Sequence, residues 1–509
     1  MFAHLHVHSC YSFLDGASTP RQLVERAADL GMRALALTDH DNTAGAVEFF
    51  RHAREAGIKP IQGAEVTVAP LAGEEGEPNG GPGGAAAGGN APGRSAAPRS
   101  FHLVLLADGP AGYANLCRIL SDAHLQNPRG APRVTRRMLA GRTGGLIALS
   151  GCRQGEVAWR LLHGDPHGAA RAARALRDLF GPDRFYLELQ ADRLPGQRLL
   201  HRQMRDLAEH LGLGLAAGND VHYHERERFR LHDLLTCVRC GLAIDQVHPE
   251  RRLNAENDLK PAEVMAAAFA DLPEALRGAE AIAERCEPAL RLDARLHPAF
   301  AVPKGLTAER YLRELAYRGA EERYGRVTGA IRRRLDHELD IIDRLGYADY
   351  FLLVWDVVRF ARSRGIRCAG RGSAADSAVA YCLYITEVDA IERGLLFERF
   401  MSLERAERPD IDIDFDWRHR DQVADYVYRR YGADHVAAVC TYQTYRGRSA
   451  IRDFGKVLEF PDDEIDRLAK CWYGSVGEDA LERFERVPEL RDSGIAAGRY
   501  RRLLEACAA

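Results

Sequence analysis

Short apolar runs alternate with amphipathic stretches along residues 1–230. Runs such as "RALALTDH", "SFHLVLLAD" and "GGLIALSG" have the length and composition of buried strands. Stretches such as "AVEFFRHAREAG" and "AARAARALRDLF" repeat their apolar residues at the spacing of amphipathic helices. Strands that alternate with helices in this way predict parallel βα units, in an open sheet or closed into a barrel. We therefore expect an α/β domain in this region.

The pattern changes twice further along the chain. Long helical stretches such as "EALRGAEAIAERC" and "GAIRRRLDHELDIIDRLG" begin near residue 255, a second mixed region follows at 350–440, and the tail at 445–509 is again helical. Residues 71–100 are rich in glycine, alanine and proline and contain almost no large apolar side chains. Such a segment cannot bury enough surface to offset its ordering entropy, so we expect a disordered insertion within one domain.

The stretch "PDIDIDFDW" at 409–417 places an aspartate at every second position. In an extended strand, Asp410, Asp412, Asp414 and Asp416 would share one face, and the opposite face would be apolar. Like charges on one strand face repel each other. Two interpretations remain open for this strand, a solvated acidic face and a divalent metal site, since carboxylates are the ligands that Mg²⁺ prefers.

Composition narrows the class of protein. A length of 509 residues corresponds to about three or four domains, and 46% hydrophobic with 28% charged residues is typical of soluble globular protein. The formal net charge of −3 indicates no overall field for a polyanion, although a local basic surface would suffice for nucleic acid. The irregularly spaced cysteines indicate reduced thiols, and we find neither a signal peptide nor a membrane segment. A cytoplasmic protein is expected.

Potential metal ligands follow the predicted strands. The segment "HLHVHS" puts His4, His6 and His8 on one face of the first strand, and further histidine, carboxylate and thiol side chains come near the ends of later strands. Functional groups gather at the carboxyl ends of strands in parallel βα folds. Imidazole, thiolate and carboxylate together predict a site for Zn²⁺, Mn²⁺ or Fe²⁺. A motif of two cysteines, Cys237 and Cys240 in "CVRC", sits in a helical run and is better explained by core packing than by zinc or redox chemistry.

These motifs resemble the polymerase and histidinol phosphatase (PHP) family of metal-dependent phosphoesterases. The family motif includes His6 and His8 and leaves His4 outside. The resemblance implies a distorted (β/α)₇ barrel whose mouth holds up to three Zn²⁺ or Mn²⁺ ions. It implies that Glu65 bridges two of the metals. The implied ligands are His6, His8, Asp15, His40, Glu65, His102, Cys152, Asp220 and His222. The resemblance also implies how these ligands are divided: His6, His8 and Asp220 would bind the first metal, and His102 and Cys152 the second. Asp15, His40 and His222 would bind the third.

A glycine-rich turn precedes the acidic strand by about forty residues, in "CAGRGSAADSAVAYCLYIT". The turn Gly370–Ser373 leads into a helical run from Ala374, and the N–H groups at a helix N-terminus can bind phosphate. Glycine followed by serine also caps helices structurally, so the turn alone is weak support for a phosphate site. Beside an acidic strand it gains weight, because nucleotidyl transfer needs a triphosphate site next to a Mg²⁺ site.

Several motifs in this region follow the order found in the family of the bacterial DNA polymerase III alpha subunit (family C). They are "YFLLVWDVVRFARSRGI", "GRGSAADSAVAYCLYITEVD", "LLFERFMSLER", "PDIDIDFD" and "TYQTYRGRSAIRDFGKVL". The resemblance implies a nucleotidyltransferase-type palm, related to polymerase beta, and a mostly helical thumb. It implies that Asp410 and Asp412 are catalytic and bind Mg²⁺, that Gly372 and Ser373 hold the incoming triphosphate, and that Arg371 and Arg399 contact it.

The two resemblances together imply a PHP domain at 1–281, the first part of a palm at 282–441 and a thumb at 442–509. They imply a DNA-directed DNA polymerase of replication or repair, represented by its N-terminal portion, with possible 3′–5′ exonuclease activity in the PHP domain. The expected partners are primer-template DNA and deoxynucleoside triphosphates, with the sliding clamp and other replisome subunits bound through further regions. The family's third catalytic aspartate lies in a "KFDFLGL"-like strand that this sequence does not contain, so polymerisation by this chain alone is not expected. A free-standing PHP phosphatase and a non-catalytic module that binds DNA or subunits are the alternatives.

Overall fold

The computed structural model describes residues 2–71, 100–292, 299–404, 409–441, 444–472, 474, 476, 482, 486 and 497–508. The insertion predicted at 71–100 lies outside the described residues apart from its two end residues. The chain forms two compact units, Met1–Leu292 with Thr444–Ala509 and Asp293–Gln443. Within the part of the chain that is described, no helix is long and apolar enough to cross a membrane.

A curled six-stranded sheet is the centre of the first unit, with its strands in chain order. The strands are β1 (Ala34–Leu37), β2 (Lys59–Val68), β3 (Phe101–Ala107), β4 (Leu146–Leu149), β5 (Phe185–Gln190) and β6 (Gly214–Gly218). Strands β1 and β4 are buried along their whole length, as their unbroken apolar sequences predict. The strands β4, β5 and β6 are parallel, and so are β1 and β2.

Strand β3 departs from the predicted parallel arrangement. It runs antiparallel to both β2 and β4. A parallel neighbour requires a crossover connection, usually a helix, whereas an antiparallel neighbour does not. The connection from β2 to β3 is the glycine-rich segment, which offers no amphipathic helix for such a crossover. The chain therefore returns along the sheet, and His102 lies at the start of β3 rather than at its end.

Ten helices of the described chain belong to residues 1–292. They are α1 (Pro20–Asp29), α2 (Ala46–Glu55), α3 (Gly109–Leu125), α4 (Arg136–Leu139), α5 (Glu156–Leu162), α6 (Pro166–Phe180), α7 (Gln197–Leu211), α8 (Phe229–Cys240), α9 (Ala262–Ala268) and α10 (Pro273–Arg285). Their starts follow from local sequence. Thr19 and Gln22 form a capping box at α1, and Asp165 caps α6, which has Pro166 in its first turn. The helices α3–α7, α9 and α10 contribute apolar side chains to one large core with the sheet, whereas α1 and α2 form a smaller cluster with β1.

The N-terminal segment links the two edges of the curled sheet. The Ala36 N–H in β1 donates to the His4 carbonyl at 3.0 Å, and the Thr38 N–H donates to the Val7 carbonyl at 2.8 Å. On the opposite side, the His8 N–H donates to the carbonyl of Val221, just beyond β6, at 2.7 Å. Val221 in turn donates its N–H to the His6 carbonyl at 3.0 Å. The extended segment therefore holds His6 and His8 between the two edge strands.

The second unit is mainly helical around a small two-stranded sheet. Its elements are α11 (Ala308–Tyr324), α12 (Gly329–Leu345), α13 (Ala348–Ser363), β7 (Cys368–Arg371), α14 (Ala378–Cys382), β8 (Asp412–Phe415) and α15 (Arg420–Tyr431). Strands β7 and β8 are antiparallel, with Arg371 paired to Asp412. Ile411 is buried whereas Asp412 and Asp414 are exposed, which confirms the predicted alternation as far as Phe415. Beyond the strand the prediction is wrong, because Asp416 is half-buried and Trp417 is exposed.

The described residues of the tail are helical, as predicted, and form α16 (Gly447–Val457), α17 (Asp462–Cys471) and α18 (Ala497–Ala508). They build a small core around Phe454 and Trp472, against which Leu235 and Val238 of α8 pack. Cys237 on α8 is fully buried and Cys240 is half-buried. The "CVRC" motif thus lies on a helix within a packed region, and the domain boundaries at 281 and 441 stay predictions.

A glycine on α10 tests the packing of this helix on the sheet. A Cβ atom at Gly278 would lie 1.9 Å from the carbonyl oxygen of Leu215 in β6. We expect Gly278→Ala to lower the free energy of unfolding by about 1–3 kcal/mol, because the helix must move away from the strand. Gly144→Ala is the control, since its Cβ would meet only Asn115 Nδ2 at 3.9 Å. Urea unfolding of both variants measures the difference, and equal stability would contradict the packing.

Candidate metal centre

The nine predicted ligands reach one cavity from separate segments of the first unit. His6 and His8 come from the N-terminal segment, Glu65 from β2 and His102 from the start of β3. The remaining five lie in loops, and they are Asp15, His40, Cys152, Asp220 and His222. Seven of the nine line an open cavity of about 650 Å³, and His6 and His8 are buried beneath it. The structure therefore brings the whole predicted set together.

Glu65 is the shared acceptor of this cluster. Its Oε2 lies 2.8 Å from His40 Nδ1 and 3.0 Å from His102 Nδ1. Its Oε1 lies 3.2 Å from His6 Nε2 and 3.8 Å from Cys152 Sγ. With His8 Nε2 at 3.8 Å from Oε2, the carboxylate contacts five potential ligands through its two oxygens, which is the arrangement that a bridging ligand needs.

Asp220 and Asp15 occupy the other two corners of the cluster. Asp220 Oδ1 lies 3.4 Å from His6 Nε2 and 3.5 Å from His8 Nε2. Asp15 Oδ2 lies 2.9 Å from His40 Nε2 and 3.0 Å from His222 Nε2. Asp220 has a positive φ of 45°, a conformation that non-glycine residues adopt mainly where the surroundings impose it.

Three sets of donor atoms lie close enough to share an ion, because the atoms of each set are within 4.8 Å of one another. The first set is His6, His8 and Asp220, the second is His40, Glu65 and His102, and the third is His8, His40 and His222. The first set reproduces the predicted first metal. The second contains the bridging Glu65 and His102, with Cys152 Sγ at 3.7 Å from His102 Nδ1. The third shares His40 and His222 with the predicted third metal. The ligand roles themselves stay predictions.

The chemistry of the donor set fits a metal ion. His6 Nε2, His8 Nε2 and Glu65 Oε2 are buried and lie close to one another's neighbours, but none of them forms a hydrogen bond of regular geometry with a described residue. Burial alone would raise the pKa of Glu65, but positive charge on His102, His6 and His40 holds it well below its usual range. Burial raises the pKa of the Cys152 thiol well above its usual range, and Glu65 and Asp220 raise it further. Buried carboxylates that need positive charge, beside unpaired ring nitrogens, are what a cation would satisfy.

A layer of partners behind the ligands was not predicted. Glu188 on β5 is buried and its Oε1 lies 3.1 Å from His6 Nδ1, so that His6 Nε2 faces the cluster. The Ser12 hydroxyl lies 3.1 Å from His8 Nδ1 and donates to Asp39 Oδ1 at 2.7 Å. Such partners orient imidazole ligands and select the tautomer. The signal in the sequence is the acid in "FYLELQ", an otherwise largely apolar strand.

His4 lies outside the cluster, as predicted. Its Nε2 donates to the Lys260 carbonyl at 2.9 Å, and its ring contacts Phe2 edge-on. Burial lowers the pKa of His4 to about 4, so its ring is neutral near pH 7. The three histidines of one strand face therefore divide into two ligand candidates and one core residue.

The acidic strand forms a second, exposed candidate site in the other unit. Asp410, Asp412 and Asp414 are all exposed, and Arg371 on β7 reaches two of them. Arg371 Nη2 lies 3.5 Å from Asp412 Oδ2, and its Nε lies 3.3 Å from Asp414 Oδ1. Asp416 instead pairs with Arg418, whose Nη2 donates at 2.6 Å. Exposed carboxylates beside one arginine can accept a hydrated cation from solvent.

The glycine turn requires a correction. Gly372 has a positive φ of 70° and opens a 3₁₀ helix, Gly372–Asp376, in which Ser373 is exposed. The helix predicted from Ala374 is the short α14, and its first N–H groups are not available to phosphate. The buried carboxylate of Glu338 accepts from the N–H groups of Ala378 and Val379 at 3.0 and 2.9 Å. An internal acid therefore caps α14, so any phosphate contact of this region would have to use the preceding turn at Gly372 and Ser373.

Arg399 is exposed, and its Nε lies 3.8 Å from Asp376 Oδ2 at the end of the glycine turn. Arg334 supports the same turn from α12 by donating to the Asp376 carbonyl at 3.0 Å. Arg371, Gly372, Ser373 and Arg399 therefore lie around one exposed turn. Their predicted contact with a triphosphate stays a prediction.

Comparison with known proteins adds two family matches and close relatives. The PHP domain model matches residues 4–192, and the model of the bacterial DNA polymerase III alpha NTPase domain matches residues 310–508. An error-prone DNA polymerase of Symbiobacterium thermophilum is 56% identical over 99% of this chain and 45% of its own length. DNA polymerase III subunit alpha of Treponema pallidum is 39% identical, in a match that covers 92% of this chain and 39% of that protein. An error-prone DNA polymerase of Mycobacterium bovis is 41% identical, in a match that covers 92% of this chain and 42% of that protein. The chain spans less than half the length of each of these relatives.

Metal content tests the centre directly, with a control on the same strand face. We expect purified protein dialysed against Zn²⁺ or Mn²⁺ to retain bound metal, and His6→Ala to lose at least one ion, because His6 contacts both Glu65 and Asp220. His4→Ala should retain the wild-type metal content, since His4 faces the Lys260 carbonyl instead. Elemental analysis by mass spectrometry gives the ratio of metal to protein. Equal losses in the two variants would contradict the assigned cluster.

Proposed function

This chain belongs to the family of the bacterial DNA polymerase III alpha subunit, and from that premise we propose that its first unit is a metal-dependent phosphoesterase centre. The observation that carries the proposal is the meeting of nine ligand candidates, seven lining one cavity and two buried beneath it, with Glu65 in contact with five of the others. The substrate class is a phosphodiester, and within this family the 3′-end of DNA is the best match. The centre would act as a 3′–5′ exonuclease.

The finer architecture that we propose is a distorted (β/α)₇ barrel at 1–281, followed by a nucleotidyltransferase-type palm at 282–441 and a thumb at 442–509. Support for the barrel comes from the N-terminal segment, which hydrogen-bonds to β1 and to Val221 beyond β6 and so takes the place of a seventh strand. Support for the palm comes from the β7–β8 pair, which carries Arg371 opposite Asp412.

Up to three Zn²⁺ or Mn²⁺ ions would occupy the centre. His6, His8 and Asp220 would hold one, and His102 with Cys152 would hold the second. Asp15, His40 and His222 would hold the third. When bound, such ions supply Lewis acidity toward phosphate oxygens and lower the pKa of water at the site.

The protein's own residues prepare the site for this chemistry. Glu65 presents both carboxylate oxygens toward the cluster, and Glu188 holds the His6 ring so that Nε2 faces it. Ser12 and Asp39 hold the His8 ring in the same way. Because these supports come from packed strands and loops, the donor atoms are arranged before a ligand enters, which lowers the reorganisation on binding.

Hydrolysis is measured on a single-stranded oligonucleotide labelled at its 5′-end. We expect Mn²⁺-loaded protein to shorten it from the 3′-end, and Asp220→Asn to reduce the rate by on the order of a hundredfold or more, since even partners behind ligands change activity by 10–100-fold. Asp206→Asn, at an exposed position on α7, should leave the rate unchanged. Hydrolysis of p-nitrophenyl phosphate without attack on DNA would favour the small-ester phosphatase instead.

We propose nucleotidyl transfer as the function of the second unit. Exposed Asp410 and Asp412 would bind Mg²⁺, and Arg371, Gly372, Ser373 and Arg399 would contact a deoxynucleoside triphosphate. Arg371 between two carboxylates supports this assignment, because a guanidinium suits both carboxylate and phosphate. The corresponding partners of the whole protein are primer-template DNA, the sliding clamp and further replisome subunits, in replicative or error-prone synthesis.

Nucleotide binding distinguishes a metal role from a solvated acidic face. We expect Asp412→Asn to weaken Mg²⁺-dependent binding of a fluorescent deoxynucleoside triphosphate by about tenfold, the effect of losing one charged contact. Asp416→Asn should have no effect, since Asp416 is engaged by Arg418. Fluorescence anisotropy with and without Mg²⁺ gives both affinities. If the two variants weaken binding equally, the carboxylates of this strand have no individual metal role.

A further inference from the structure

Two arginines stand on the wall of the metal cavity, and neither belongs to the predicted ligand set. Arg239 lies near the end of α8, and Arg252 lies in the loop that follows; their side chains are 34% and 27% exposed, so both face the open cavity. Arg239 Nη1 lies 3.2 Å from Asp15 Oδ1, and Arg252 Nη2 lies 3.0 Å from Asp220 Oδ2.

The two guanidinium groups stand on either side of one ligand pair. Arg252 Nη2 also lies 3.0 Å from Nε2 and 3.2 Å from Nδ1 of His222, so it sits over the imidazole face. The same His222 Nε2 lies 3.0 Å from Asp15 Oδ2, whose other oxygen meets Arg239. A continuous series of contacts therefore joins Arg239, Asp15, His222 and Arg252 at the position of the proposed third metal.

Their neighbours on the cavity wall are differently engaged. Arg153 donates to Asp192 and to the Pro195 carbonyl. Arg251 donates to both oxygens of Asp233 and to the carbonyls of Ile244 and Gln246. Arg239 and Arg252, in contrast, have as their nearest acids two carboxylates that are themselves ligand candidates, with Glu250 at 3.6 Å from Arg239 as a further contact. If a bound cation took the place of the arginines as partner of those carboxylates, the N–H donors of Arg239 and Arg252 would be free to bind another anion.

We propose that Arg239 and Arg252 form the phosphate-binding pair of the metal centre, an inference that rests on the proposed phosphoesterase function. Each planar guanidinium offers paired N–H donors that match the non-bridging oxygens of a phosphate group. The ligand class is a phosphate mono- or diester, held over Asp15 and His222. The pair would hold the phosphorus atom beside the cluster, and it would also balance the charge of Asp15 and Asp220 before the metals enter.

Calorimetric titration of Mn²⁺-loaded protein with deoxyadenosine monophosphate tests this pair, with deoxyadenosine as the probe that lacks phosphate. We expect Arg239→Gln and Arg252→Gln each to weaken binding of the monophosphate by about tenfold or more at unchanged metal content. Binding of deoxyadenosine should not change. Glycerol phosphate and a phosphorothioate dinucleotide, titrated in parallel, distinguish a small phosphate ester from a DNA end as the natural source.

Arg230→Gln is the matched control, because Arg230 is exposed on the same helix and does not line the cavity. Arg252→Lys keeps the charge but loses the planar pair of donors. It gives a second measurement if Arg252→Gln unfolds, and weaker binding of the monophosphate by Arg252→Lys supports the proposal. If both glutamine variants keep the wild-type metal content and bind the monophosphate as tightly as wild type, the inference is overturned but the proposed function is not. Wild-type protein that retains no metal would overturn the proposed function together with it.

Discussion

The first unit is organised around one buried carboxylate that several segments must share. Glu65 sits within β2, is almost inaccessible to solvent, and contacts side chains from the N-terminal segment, the loop after β1, the start of β3 and the loop after β4. An isolated buried carboxylate is strongly unfavourable, and positive or metal-bound partners must compensate it. This requirement ties together parts of the chain that are distant in sequence. The approach of these segments to one another and the geometry of the site thus involve the same group.

The two acidic sites in this chain differ in how their clustered carboxylates are stabilised. The carboxylates of the first unit are buried among imidazoles and arginines, whose positive charge holds the pKa values of Glu65 and Asp220 well below their usual range. The carboxylates of β8 are exposed and have water and Arg371 as their surroundings. A buried cluster favours tight, preformed coordination, whereas an exposed strand suits an ion that arrives and leaves with its nucleotide. This difference is the physical basis for proposing a resident metal cluster in the first unit and a transient Mg²⁺ site in the second.

Residues outside the predicted set complete both sites. Glu188 holds the His6 ring, and Ser12, which donates to Asp39, holds the His8 ring. Glu338 accepts from the first N–H groups of α14, directly after the glycine turn. A sequence pattern does not reveal such partners readily, because a buried acid in a strand or helix has no fixed spacing from the group that it supports. Glu338 lies about one helix and one strand before the turn that it caps, and only packing brings the two together. For this reason the sequence predicted a helix from Ala374, whereas the α-helix begins at Ala378 with its first N–H groups already bound to Glu338.

The sequence by itself determined the alternation of strands and helices, the helical tail, the acidic face of β8 and the identity of the residues that gather in the cavity. These features depend on local periodicity or on motifs whose members carry their chemistry in their side chains. Only the tertiary structure decided the direction of β3, which places His102 at the beginning of its strand beside Glu65. It also decided the contacts of Glu188, Arg239 and Arg252 with the ligand candidates. These contacts join segments far apart in the chain, and they arise only when the sheet curls and the N-terminal segment links its two edges.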